Sequence, residues 1–310
     1  MTLLTIFSTP KPFSDPHIAT IQRNAIASWT KLGAECDVLL IGEEDGLIEV
    51  AEEYNVQVIK KVDRNESGTP IISSIFKIAE EESQSPFFVY VNADIILMND
   101  ILQGLGKIIK SIKKPSKELT ESNKSEPFLL IGQRWDMEIT QLLPFSKNWQ
   151  EELRSDVLQS GKMHRPAGSD YFLYPRFAFS KLPDFAIGRA GWDNWMIYHA
   201  YSQGWKVIDA TKDIMIVHQN HDYRHLPDGK PHYNHQESQD NMGMAGGMKY
   251  MYMVLDANYQ LNNGQLKKVT LSLPRFIRKI ERWIMPNTGN LRGFRGTCTR
   301  LLKKLRRKID

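Results

Sequence analysis

Cysteine is nearly absent: Cys36 and Cys298 are the only two in 310 residues. They stand far apart and in no metal-ligand spacing, which argues against a disulfide framework and predicts a reducing compartment. No apolar run is long enough to span a bilayer. The opening MTLLTIFSTPKPF lacks the basic start and apolar core of a signal peptide, so cytoplasmic synthesis is expected. P-loop and dinucleotide-binding glycine patterns are missing, and so is HExxH. The loop after the first apolar stretch, TPKPFSD, contains no glycine. That sets aside nucleotidyltransferases that cradle phosphates in a Gly-rich loop at this place. No internal repeat is visible.

What is present is unevenly charged. Lys and Arg number 40 against 36 acids, a formal net charge of +4. From Arg275 onward, twelve basic residues face Glu281 and Asp310 alone, a net of +10, which leaves the preceding body at −6. A mildly acidic body with a strongly basic tail points to an anionic surface as partner.

The first half alternates strand and helix patterns. TLLTIFS, CDVLLIG, VQVIKKV and FFVYVNADIIL read as strands. Between and after them, PHIATIQRNAIASWTKLG, DGLIEVAEEYN, TPIISSIFKIAEE and NDILQGLGKIIKSI read as helices. In the first helix Ile18, Ile21, Ala25, Trp29 and Leu32 recur at helical spacing before Gly33. Such alternation predicts βαβ units and an α/β fold with a mostly parallel sheet. Lys113 to Pro127 is polar and reads as a surface loop. FLLIGQRWDMEI then reads as a strand that leaves the core after Gly132, and the chain beyond it is rich in Trp, Tyr, Asp and His.

Asn92-Ala93-Asp94 ends a buried strand on a carboxylate. Ligands bind at the carboxyl ends of strands in open parallel sheets, and a carboxylate there suits a hard divalent cation that bridges phosphates. The competing reading is a helix cap or turn. Asp193, in GRAGWDNW, lies in the first turn of a helix running to Gly204, where the dipole and free N–H groups favour an anion. It reads either as a cap or as a general base for an acceptor hydroxyl. Trp192, Trp195, Met196, His199 and Ala200 share one face of that helix, mostly core. Asp170 and Tyr171 form an acid-aromatic pair suited to a sugar, or else a turn Asp and a core Tyr. Arg134 and Asp136 either pair with each other or place an Arg near a diphosphate.

These four motifs, Asn92-Ala93-Asp94, Gln133-Arg134-Trp135-Asp136, Gly168-Ser169-Asp170-Tyr171 and Gly191 to Trp195, resemble those of GT-A fold glycosyltransferases over roughly residues 1–260. The GWDNW stretch is similar to a bacterial and plant group of that fold. The resemblance implies a DxD-type site for Mn2+ or Mg2+ on the diphosphate of a nucleotide-sugar, with UDP the commonest nucleotide. Here the first carboxylate of that motif is the amide of Asn92. By this resemblance Thr9, Pro10, Asp63, Arg64, Thr69, Asn92, Asp94 and Arg134 would hold the donor. Asp193 would act as the base of an inverting enzyme. Asp136, Asp170, Tyr171, Trp192 and Asn194 would meet the acceptor, and Asp94 with His218 would hold the metal, His221 being second choice. The implied organisation is a GT-A-like domain over 1–272, split into a donor half (1–110) and an acceptor half (128–272), and a basic helical tail over 273–310.

IVHQNHDYRHLPDGKPHYNH holds five histidines: His218, His221, His225, His232 and His235. Besides the metal-ligand reading it supports a rival one, a hydrolase-type metal centre on His218, His221 and Asp222. A third reading is a nucleotide-sugar-binding scaffold that has lost its metal at Asn92. The segments around Asp240-Asn241-Met242-Gly243 and Ala245-Gly246-Gly247 read as a loop over the donor. In the tail, Phe276, Ile277, Ile280, Trp283 and Ile284 fall on one side, with Arg278, Lys279 and Arg282 largely on the other. TRLLKKLRRKI follows, with too few apolar residues for a buried role. The tail suits an anionic membrane surface better than nucleic acid. A lipid-linked or envelope glycan acceptor and a peripheral place on the inner membrane face follow from that.

Overall fold

The computed structural model describes residues 2–112, 127–221, 235–286 and 293–309. Strands β1 (Leu4–Ser8), β2 (Cys36–Ile41), β3 (Gln57–Ile59) and β4 (Phe87–Val91) alternate with helices α1 (Pro16–Thr30), α2 (Leu47–Tyr54) and α3 (Ile72–Glu82), as the spacing predicts. Asp15 caps α1 by accepting from His17 N and Ile18 N, and Pro16 opens it. The cap contributes about 1 kcal/mol. Each fully buried side chain such as Ile21 or Ile26 contributes about 1.5–3 kcal/mol, so packing, not capping, fixes the helix.

FFVYVNADIIL is two strands, not one. The chain turns at Asn92, with Ile95 N donating to Asn92 O at 3.1 Å, and β5 (Ile95–Leu97) joins a different sheet. α4 (Asp100–Ile112) follows. FLLIGQRWDMEI divides likewise into β6 (Phe128–Ile131) and β7 (Trp135–Met137). Next come α5 (Trp149–Ser160), β8 (Lys162–Met163), β9 (Tyr171–Pro175), α6 (Trp192–Ser202), β10 (Lys206–Asp209), β11 (Ile216–Gln219) and α7 (Gln236–Met244). The hairpin β12 (Tyr259–Asn262) and β13 (Gln265–Lys268) precedes α8 (Leu273–Ile284) and α9 (Gly293–Ile309).

The large sheet runs β13-β12-β10-β6-β9-β4-β1-β2-β3. It is mostly parallel, with β9 antiparallel between β4 and β6 and β13 antiparallel at the edge. Alternation along each strand sends side chains to two cores. Ile6, Leu40, Val89, Leu130 and Leu173 pack under α1, α2 and α4. Phe7, Leu39, Phe88, Leu129 and Phe172 pack under α3 and α6. A second sheet, β5-β11-β7-β8, lies over α5 through Ile96, Val217, Trp149 and Val157.

Two expectations are corrected here. Residues 236–244 are helical, not a loop, because buried Asn241 bonds both the N–H and the carbonyl of Ala186. The two sides of α8 are not turned as an apolar face toward the body and a basic face toward solvent. Arg278 and Glu281 are buried beside Ile277, whereas Phe276 and Trp283 face out. The second tail segment does have a buried member, since Arg306 reaches Glu281 at 2.9 Å. Most of the polar stretch from Lys113, together with Asp222, His225 and His232, lies outside the described residues.

Candidate functional site

The site forms where the two sheets part. The register of the small sheet places His218 beside Ile95 on β5 and beside Asp136 on β7. Period-2 alternation turns Ile96, Val217, Trp135 and Met137 toward the α5 core. His218 and Asp136 therefore share the opposite face. Asp94, one residue before β5, completes the group. Its Oδ2 lies 3.1 Å from His221 Nε2 and 3.7 Å from His218 Nε2. Buried Gln219 fixes the turn from behind: its N–H and side-chain amide both donate to the Asp94 carbonyl at 3.2 Å. α1 braces β5, with Trp29 Nε1 donating to Ile95 O and Ser28 Oγ accepting from Leu97 N.

Asp94, His218 and His221 offer ligand atoms within 4.8 Å of one another. Asp94 Oδ1 is buried and has no hydrogen-bond partner among the described residues, which is costly unless a cation or donor meets it. Burial would raise the Asp94 pKa, but His218, His221 and the Lys11 amine hold it well below the usual carboxylate range. One carboxylate and two imidazoles suit a divalent transition ion such as Mn2+, and the residues fit that group.

Beside this cluster lies a chain of charges. Arg134 donates to Asp136 at 2.8 Å and to Asp170 at 2.7 Å. Asp136 also bonds His164 Nδ1 at 2.8 Å, and His218 Nδ1 lies 3.1 Å away, off hydrogen-bond geometry. Burial alone would raise the Asp136 pKa; His218, His164 and Arg134 hold it below the usual range instead. Arg134 thus pairs with Asp136, one of the two readings of the sequence, and with Asp170 as well. Asn92 is engaged too: Nδ2 donates to Asp170 Oδ1 at 2.9 Å and Oδ1 accepts from Tyr90 OH at 3.1 Å.

Asp193 sits in the first turn of α6, after Gly191 at φ +108°, a backbone conformation that favours glycine. A Cβ on Gly168 would come within 2.5 Å of Asp193 Oδ2, so the 168–170 loop approaches the carboxylate as only glycine permits. Burial pushes Asp193 up to about 6, opposed by the Asn194 N–H and reinforced by Asp170. Buried Tyr90, whose phenol is raised by burial first, also feels Asp94, Asp170 and Asp193. The three carboxylates thus gather around one strand end.

Several expected site residues have other work. Tyr171 is fully buried on the α1 and α4 side of the sheet, so its ring cannot cover a sugar. Trp192 is buried edge-on to Tyr90, 5.1 Å between centroids. Asn194 Nδ2 donates to the carbonyls of Ala167 and Tyr252. Pro10 is buried, and Thr9 Oγ1 beside it is buried without a hydrogen-bond partner among the described residues. Asp63 N bonds Ser74, and Arg64 is held by Glu44 and the Gly68 carbonyl. Thr69 bonds Glu237, which also binds Arg189 and Asn65. Lys11 lies within electrostatic reach of Asp94 and Arg189; burial first, then Arg189, lowers its pKa. Lys11 and His164 were missed in the sequence. Lys11 was signalled by its place just after β1. His164 had no local signal, since only the pairing of β7 with β8 brings it to Asp136.

No family model matches the sequence, and no curated protein is significantly similar to it. Among solved structures, the chain is similar to glucosyl-3-phosphoglycerate synthase from Mycobacterium tuberculosis in complex with UDP, at 15% identity, 88% coverage of each chain and a TM-score of 0.46. A complex of that synthase with Mn2+, UDP and glucosyl-3-phosphoglycerate gives 13% identity, the same coverage and 0.46. The mannosyltransferase PcManGT from Pyrobaculum calidifontis, in complex with GDP-Man and Mn2+, gives 12% identity and a TM-score of 0.39, over 69% of this chain and 56% of that one. These likenesses are remote, and the site is read from its own residues.

Proposed function

We propose that the protein is a glycosyltransferase that moves a sugar from a nucleotide-diphosphate sugar, UDP-sugar by preference, to an acceptor hydroxyl with inversion. The observation that carries this reading is the pairing, at one strand end, of the Asp94, His218 and His221 cluster with a carboxylate raised to about 6 at Asp193. Asp94, His218 and His221 would hold Mn2+ or Mg2+, the imidazoles favouring Mn2+. A divalent cation there supplies charge stabilisation for a departing diphosphate. Thr9 and Lys11 border the donor side, with Asp63, Arg64 and Thr69 on the loop joined to Arg189 through Glu237. Ionised Asp193 takes the proton of the acceptor hydroxyl. The acceptor oxygen bonds the anomeric carbon as its bond to the diphosphate breaks, and the nucleoside diphosphate leaves with the electron pair.

In this reading residues 1–110 serve the donor, 128–272 the acceptor, and 273–310 bring the enzyme to an anionic membrane surface bearing a lipid-linked or envelope glycan acceptor. A hydrolase is the second reading, favoured by the two-histidine, one-carboxylate donor set. The same observation joins what the sequence left as rivals, because Asp94 and the first two histidines of the cluster are one group.

The test is thermal stabilisation by a panel of nucleotide-sugars and nucleoside diphosphates with Mn2+, Mg2+ or chelator, on wild type and Asp94→Ala. The expected result is a metal-dependent shift for one nucleotide, lost in Asp94→Ala. A shift with metal alone and none with any nucleotide would overturn the transferase reading in favour of hydrolysis.

A further inference from the structure

The positive charge of α8 and α9 is divided between two jobs. Toward the protein, Arg278 (3% exposed) donates to Asp256 and to Glu281, and Arg306 takes the other Glu281 oxygen. Arg282 reaches Asp256, and Arg275 reaches Asp209. These four arginines bind the helix pair to the body. Outward, Lys279, Arg295, Arg300, Lys304, Arg307 and Lys308 are exposed and form no ion pair among the described residues. Glu281, the one acid in residues 273–309, is buried. The outward charge is therefore of one sign.

Apolar side chains accompany it. At roughly 100° per residue, Leu273, Phe276, Ile280 and Trp283 fall in a stripe about 80° wide on α8. It lies to one side of the buried positions Ile277, Arg278 and Glu281. On α9, Phe294, Leu301 and Leu305 fall within about 40° of one another, opposite buried Thr299 and Arg306. Trp283 and Phe294 are each 84% exposed. Aromatic and aliphatic side chains in a stripe flanked by unpaired Lys and Arg match the boundary between headgroups and acyl chains of an anionic bilayer. A nucleic acid would use the charge but gains nothing from the Leu301 and Leu305 side chains.

We propose that the outward faces of α8 and α9 dock on an anionic lipid bilayer. Phe276, Trp283, Phe294, Leu301 and Leu305 enter the interface, and the six exposed basic residues meet the headgroups. This deepens the membrane-surface part of the function proposed above and rests on it, while the docking surface itself needs no donor, metal or acceptor. Arg275, Arg278, Arg282 and Arg306 take no part in lipid binding, because the body already holds them.

The test is co-sedimentation of the full chain with vesicles of phosphatidylcholine alone and of phosphatidylcholine with phosphatidylglycerol, at low and high salt. Binding is expected on the anionic vesicles alone, weakening with salt. The double substitutions Trp283→Ser with Phe294→Ser, and Lys304→Glu with Arg307→Glu, should each weaken it roughly tenfold or more. All four positions are exposed, and an unchanged melting temperature confirms folding. Brominated acyl chains should quench wild-type fluorescence and spare Trp283→Ser. No binding to anionic vesicles, or equal binding by the double variants, overturns the proposal. So does tight binding to an oligonucleotide with none to vesicles. Asp94→Ala should bind vesicles as wild type does, so a failure here and a failure of the metal-dependent nucleotide shift are read separately.

Discussion

Asn92 and Asp170 meet one step beyond the last pair of the β4–β9 ladder, Val91 with Tyr171, and there the amide of one donates to the carboxylate of the other at 2.9 Å. An amide is needed at 92 because its neighbour is already an acid that also holds Arg134. Asn92→Asp would set two carboxylates face to face. We expect a loss of about 1–3 kcal/mol at pH 7. The introduced carboxyl would have a raised folded-state pKa. The penalty should therefore be absent below the unfolded value, about 4, and grow as pH rises through the folded one. Urea unfolding at several pH values checks this.

Asp193 gives a second pH dependence. Burial raises it to about 6, above its unfolded value of about 3.9. The folded state thus binds the proton more tightly, and the favourable contribution of the protonated form is lost as pH rises from about 4 to 6. Asp193→Asn should be more stable than wild type at pH 7, by on the order of 1–2 kcal/mol after allowance for its partial exposure. It should abolish transfer. Wild-type kcat/KM should rise through about pH 6 as the base ionises.

Tyr171 tests the boundary between core and site. Its hydroxyl is buried without a hydrogen-bond partner among the described residues. Tyr171→Phe should be neutral to stabilising by up to about 1 kcal/mol, with nucleotide binding and turnover unchanged. A large loss of acceptor affinity with intact stability would return Tyr171 to the site.

Asp136 touches Arg134, His164 and His218 without belonging to the metal-ligand cluster. Carboxylates that orient a ligating imidazole commonly tune metal affinity by about 10- to 100-fold. Asp136→Asn should weaken Mn2+ binding, followed by titration calorimetry, within that range.

Arg278 is the buried link of the tail. Arg278→Met removes charge-assisted hydrogen bonds but leaves Asp256 with Arg282 and Glu281 with Arg306, and should cost about 1–3 kcal/mol. Hydrogen exchange should speed up across α8 and α9 before the rest of the protein opens.

The strand-helix alternation of the first half was legible because each strand there is short, apolar and bounded by a patterned helix. The break at Asn92 was not, because Val91 and Ile95 are equally strand-like, and only pairing with β11 moves Ile95 to a second sheet. Asp94, His218 and Asp193 were singled out at strand or helix ends, and the fold brings Asp94 and His218 together. The partners that Arg134, Trp192 and Asn194 find across the fold were not legible, for one reason. Local sequence shows what a side chain can bond, whereas its actual partners come from segments 27 to 58 positions away or from packed rings. Which way the tail's sides face was hidden similarly, since Arg278 is buried by an acid at position 256 that helical periodicity does not see.

The four strands of the small sheet come from four separate stretches between Ile95 and Gln219. Nearly all its pairings therefore close long loops, and contacts of that kind form slowly and late. During synthesis, β4 and its helices can assemble long before β11 is available. The cluster of Asp94, His218 and His221 then forms as a late folding event, and a nascent chain ending before β11 would carry Asp94 with neither of those histidines beside it.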